Sequence, residues 1–167
     1  MAMSSYLISP QQMTCLQEHW LKPDELNQLS SLSGSHSAIS YSAMAGNKIF
    51  YGRPYGGLSI TYNKAKTKKV SSLGYSINNR VMACKFEFDN KNFVLFNVYM
   101  PCWRDESYSA DVGIICGFMR NLLNSIVQQN CNVIIAGDFN VHPNVIDCDV
   151  LLHDLQSIIN DYHLISY

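Results

Sequence analysis

NFVLFNVYMP (residues 92–101), SYSADVGIICGFMRNLLNSIVQQN (residues 107–130) and NVIIAGDFN (residues 132–140) together decide the fold class. The first is rich in β-branched and aromatic residues, the composition of a pleated, buried strand over 92–99. In the second, Val112, Ile115, Cys116, Met119, Leu122, Leu123 and Ile126 recur at three-and-four spacing, which predicts a helix over 108–129 with one apolar face. The third reads as a strand over 132–136, continuously apolar from Val133 on, the pattern of a strand covered on both faces.

Working outward, residues 80–88 form another strand, joined to 92–99 by a hairpin turn at Asp89-Asn90-Lys91. Residues 56–62 and the weakly alternating 37–44 are further strands, and 13–17 is a short buried one. Pro23-Asp24 opens a short helix with Leu26, Leu29 and Leu32 on one side, because proline is well tolerated at a helix start. Residues 149–162 form a second amphipathic helix with Leu152, Leu155, Ile158 and Ile159 inward, and 164–167 begin another strand. Strands first, then helix–strand–helix, make an α/β layered domain whose sheets are covered by helices. No repeat or linker divides the 167 residues, so 1–167 reads as one domain, cut short at its final strand.

Composition narrows the class without fixing a function. Apolar residues at 47% and charged residues at 15% belong to a globular chain. A net charge of −1 argues against gripping nucleic acid through overall positive charge, but leaves room for an enzyme that engages phosphate locally. The six cysteines show no zinc-ligand spacing, no signal-peptide pattern is visible in MAMSSYLISPQQ, and the most apolar stretch, 93–100, is too short for a membrane span. The expectation is an intracellular protein, nuclear or cytoplasmic and not secreted, with free thiols.

Three predicted strands end in polar residues that packing does not require. MTCLQEHW delivers Glu18 at its carboxyl end. In FVLFNVYMP, period-two alternation puts Asn97 and Tyr99 on one face. In NVIIAGDFN, Gly137 permits a tight exit and is followed by Asp138 and Asn140. Phosphodiester hydrolysis asks for such a set: a cation near the phosphoryl oxygens, a group to orient water, and hydrogen-bond donors. Glu18 suits Mg²⁺, Asp138 suits the water, and Asn97, Tyr99 and Asn140 suit the phosphate.

LQEHW, GRPYGGLSI, NVYMP and AGDFN, in this order from Leu16 to Asn140, resemble the endonuclease/exonuclease/phosphatase superfamily, and most closely the endonuclease of non-LTR retrotransposons. The resemblance implies a four-layered α/β sandwich and an Mg²⁺-dependent endonuclease acting on DNA. It implies Glu18 as metal ligand and Tyr99 near the scissile phosphate. Asp138 is implied as the group acting on water, Asn140 as positioning water and phosphate, and Asn97 in a more structural place. It also implies a reverse transcriptase after the nuclease in an intact parent polyprotein. The chain departs from the family pattern at both ends. No metal-binding asparagine precedes Met13, and no Ser-Asp-His follows Asn140. The expectation is therefore an incomplete copy, weakly active or inactive.

Two other functions remain open on these residues: a lipid or inositol-phosphate phosphatase of the same fold, and a non-catalytic relic. Among neighbouring features, His19 and His142 read as surface or supporting histidines. Gly56-Gly57 reads as a tight approach to a strand, and the lysines of NKAKTKKV (63–70) as a solvated hairpin loop.

Overall fold

In the computed structural model, residues 13–44, 56–89, 91–102, 106–129, 131–140 and 149–165 are described. The expectations placed on the GRPY segment, His142 and the side chain of Leu152 lie outside them. The elements are β1 (Thr14–Gln17), a 3₁₀ turn (Pro23–Glu25), α1 (Asn27–Ser31), β2 (His36–Tyr41) and β3 (Leu58–Asn63). After these come β4 (Lys69–Tyr75), β5 (Val81–Glu87), β6 (Asn92–Tyr99), α2 (Tyr108–Ile126), a 3₁₀ extension (Val127–Gln129), β7 (Asn132–Asp138) and α3 (Asp149–Asp161).

Two sheets pack face to face. One is antiparallel with order β1-β3-β2, and the other runs β4-β5-β6-β7. In the second, β6 and β7 are parallel, with Tyr99 opposite Asp138. Alternation along the central strands sorts the core. Leu58 and Ile60 from β3 meet Met82, Cys84, Phe86 and Leu95 between the sheets. Val81, Ala83, Val94, Phe96 and Val98 face the opposite way, onto Val112, Ile115, Met119 and Leu123 of α2 and Ile158 of α3. Each such buried aliphatic or aromatic side chain is worth roughly 1.5–3 kcal/mol. The helices are tied outside the core by the Arg120–Asp161 pair at 2.7 Å. The result is the expected α/β sandwich.

Several local expectations change. Residues 69–75 form a strand, β4, that sequence patterning does not predict: KVSSLGY is rich in serine and glycine, and its pairing with β5 slips between Ser72 and Gly74. The lysine run is accordingly not a hairpin, since β3 and β4 belong to different sheets. Although β7 is an apolar run, it is an edge strand among the described residues, and Ile134 is 47% exposed. Leu32 is likewise exposed, because α1 ends at Ser31 and only Leu29 is buried. Leu164 and Ile165 are irregular, with Leu164 packed on the helix-side core, and the rest of the strand expected over 164–167 lies outside the described residues.

Candidate functional site

One end of the sandwich gathers the carboxyl ends of β1, β6 and β7 and the turn leading into β5. Backbone hydrogen bonds fix their order: Tyr99 N–H donates to Arg80 O (2.7 Å), and Met100 N–H donates to Asp138 O (2.8 Å). Tyr99 therefore sits between an arginine and an aspartate on neighbouring strands. Gly137, with φ of 146°, makes this register possible. A Cβ there would lie 1.9 Å from Val98 O, so only glycine lets β7 close on β6 at this point.

Glu18 arrives from the other sheet. It follows β1 directly and has φ of 50°, a left-handed conformation that costs a non-glycine residue about 1–2 kcal/mol. The bend brings its carboxylate to the same cavity as the Tyr99 hydroxyl, near enough to disfavour the phenolate. Burial, the neighbouring Glu18 and the charge of Asp138 outweigh Arg80 and push the Tyr99 phenol up to about 12. Tyr99 is therefore a neutral donor at physiological pH. The Arg80 guanidinium lies over its ring, 5.3 Å from the centroid.

Glu18, Gly57, Asn78, Asn79, Arg80 and Tyr99 line a cavity of 330 Å³. Asp138 is exposed beside it. Asn140, at φ of 47°, donates its backbone N–H to Asp138 Oδ1 (3.0 Å) and its side-chain amide to Met100 O (2.7 Å). It thereby fixes one orientation of the carboxylate. Glu18, Tyr99, Asp138 and Asn140 are thus brought to one end of the molecule.

Asn97 is not at that mouth. It shares a face with Tyr99, as alternation requires, but lies two residues deeper and is fully buried. Its amide donates to Leu16 O and Ser59 O, both at 2.9 Å, and accepts from Gln17 Nε2 at 2.6 Å. The substrate-binding place expected for it is corrected: its polar atoms are committed to clamping one sheet to the other.

His19 is also inside rather than at the surface, 7% exposed. Its Nε2–H donates to Tyr41 O and its Nδ1 accepts from Leu21 N–H, both at 3.1 Å, which defines the neutral tautomer and leaves neither nitrogen for a metal. Gly57 makes room for the ring, which a Cβ there would meet at 2.3 Å. Burial lowers the His19 pKa against the raising effect of its backbone acceptors. The unfolded chain therefore takes up this proton first. Stability is full above the ordinary imidazole value of about 6.5 and falls as pH drops from there through the depressed folded value. Urea midpoints should decline from pH 7.5 to 5, and His19→Gln should flatten that part of the decline.

Arg80 is what sequence reading misses, since in the chain it looks only like the first residue of a strand. Its Nε is 3.4 Å from Asp111 Oδ2, at the start of α2. Burial raises Asp111, but hydrogen bonds from Asn78 Nδ2 (2.9 Å) and Ser107 Oγ (2.8 Å), with Arg80, hold it below the usual carboxylate range. The available signal is SINNR (residues 76–80), a polar turn carrying a cation directly before a largely buried strand.

Residues 11–158, which include these strand ends, match the Endonuclease/Exonuclease/phosphatase family. The chain belongs to this family. No curated protein matches it by sequence. Among solved structures, it is similar to the human Nocturnin catalytic domain with bound sulfate (18% identity, TM-score 0.60), over 89% of this chain and 57% of that one. It is also similar to the 3' phosphatase NExo from Neisseria bound to a product DNA hairpin (15%, 0.54; 89% and 60%). A third likeness is to D. rerio TDP2 complexed with a single-strand DNA product (15%, 0.50; 92% and 52%). At such identities the likeness is one of fold, and the chain spans between about half and 60% of these structures. For a family member the mouth has an oxygen-rich donor set. Among the described residues no three His, Cys, Asp or Glu side chains form a metal cluster, and no helix is long and apolar enough to cross a membrane.

Proposed function

We propose that the chain is a phosphodiesterase module of this family that hydrolyses DNA phosphodiester bonds with Mg²⁺, and that residues 1–167 form one partial domain of it. One observation carries the reading: Glu18, Arg80 and Tyr99 line one cavity, with Asp138 paired opposite Tyr99 on the neighbouring strand and the Arg80 guanidinium over the tyrosine ring. The donors fit a hard divalent cation, which prefers oxygen ligands and retains its own waters. Glu18 would hold it, and when bound it supplies charge neutralisation at the phosphoryl oxygens.

The protein's own groups do the remaining work. Arg80 neutralises a second part of the phosphate charge, and Tyr99, held protonated, donates to a non-bridging oxygen. Asp138, fixed by Asn140 N–H, orients the attacking water and takes its proton. The wording of LQEHW, GRPYGG and NVYMP supports a retroelement origin, with a reverse transcriptase following in the parent polyprotein. The partial spans of the structural likenesses support the view that further length is needed for full rate.

Supercoiled-plasmid nicking in Mg²⁺ and in EDTA tests this, with inositol phosphates as a parallel substrate. Slow nicking that needs the cation and disappears in Asp138→Ala is expected. Nicking indifferent to Asp138→Ala overturns the site. Phosphate release without nicking overturns the substrate, and inactivity together with no cation binding identifies a non-catalytic relic.

A further inference from the structure

At the end of the second sheet opposite the Tyr99 mouth, two turns lie side by side. Lys68 N–H donates to Glu87 O (2.8 Å), which joins the turn after β3 to the one after β5. The pair of turns brings together five exposed lysines, Lys64, Lys66, Lys68, Lys69 and Lys91, against Glu87 and Asp89, in a chain whose net charge is −1. The Lys69–Glu87 contact is 3.9 Å with the lysine 63% exposed, so it offsets little of that field. The positive charge of this chain is locally concentrated here.

The floor between these lysines is aromatic, the outer end of the inter-sheet core. Here Phe88 and Phe93 stack between the lysines, 5.4 Å apart with planes 10° from parallel, and Phe93 stacks in turn on the buried Phe86. Lys66, Lys91, Asp89 and the two half-buried rings line an open groove of 440 Å³. Rigid rings flanked by ammonium groups hold a base over the ring and its phosphates on the lysines. We infer that this groove is a second nucleic-acid site, which takes an unpaired segment about 25 Å, the length of β6, from the Tyr99 mouth. The recessed rings favour an unpaired strand, because a duplex hides its base faces. They also disfavour an anionic lipid surface, which needs apolar side chains that protrude. The inference stands apart from the proposed chemistry, since it uses none of the same residues.

Anisotropy of a labelled oligothymidylate of roughly 15 nucleotides, titrated with the full chain in EDTA, is the test. Lys66→Glu with Lys91→Glu should weaken binding about tenfold or more and reduce the slope of log K against log salt by about 1.4. Phe88→Leu, which keeps an apolar side chain in the inter-sheet core, should weaken it about fivefold or more with the slope unchanged. Arg120→Gln, on α2 and outside both the groove and the mouth, should change it little. Thermal melts confirm that each variant is folded, with Lys66→Gln and Lys91→Gln replacing any that is not. Binding that follows Arg80→Gln and ignores the lysines overturns the proposal. So does binding indifferent to Phe88→Leu and equalled by phosphatidylserine vesicles, which would make the groove a general cationic surface.

Discussion

Replacing Asn97 by aspartate is expected to cost the chain about 3–5 kcal/mol at pH 7, enough to unfold a large share of it. The Asn97 amide donates to Leu16 O in β1 and Ser59 O in β3, with no exposure to water. An introduced carboxylate sets oxygen against oxygen at both contacts and is buried without a counter-ion. Only the bond from Gln17 Nε2 survives. The folded state raises the pKa of the new carboxyl, so the charge penalty is full above that raised value, shrinks as pH falls through it and is gone below the unfolded value. Urea unfolding at pH 7 and pH 4 distinguishes this from a generic packing loss, since only the buried charge is relieved by acid. Because Asn97 is the clamp that holds β1 against β6, its loss also separates Glu18 from Tyr99.

The second large effect separates stability from chemistry at one residue. Glu18→Gly and Glu18→Ala both remove the carboxylate, and each should lower cation-dependent nicking by about 10²–10³-fold, the cost of losing one stabilising group at a reacting centre. They differ in backbone. At φ of 50° alanine keeps the left-handed penalty whereas glycine does not, so the glycine variant should unfold about 1 kcal/mol later in urea. Equal midpoints would mean that residue 18 is not held in that bend. Strain kept at a residue aimed at the site is the usual mark of a functional constraint.

Legibility in the sequence follows burial. β6 and α2 are readable because their apolar residues are buried in an unambiguous period, Val94 to Val98 on both faces and Val112 to Ile126 on one. β4 is unreadable because an edge strand with a slipped register needs no apolar code. β7 misleads for the opposite reason, since consecutive apolar residues do not reveal which neighbour strand lies beyond them. At the site, Glu18, Tyr99 and Asp138 are legible as polar residues where apolar runs stop. Asn97 shares the face of Tyr99, and alternation carries no information about depth, so its role as an inter-sheet clamp appears only once β1 and β3 are packed on it. Arg80 is hidden likewise. Its place depends on a backbone bond to Tyr99 and an ion pair with Asp111, neither of which leaves a local pattern.

The central claim is that Glu18 and Tyr99 form one cation-holding mouth with Arg80 and Asp138. Titration of Mn²⁺ into the isotopically labelled chain, read by broadening of assigned amide resonances, tests it most directly. Selective broadening at residues 18, 80, 99 and 138 is expected at low Mn²⁺, abolished in Glu18→Gln. Broadening centred elsewhere, or unchanged by that substitution, would contradict it.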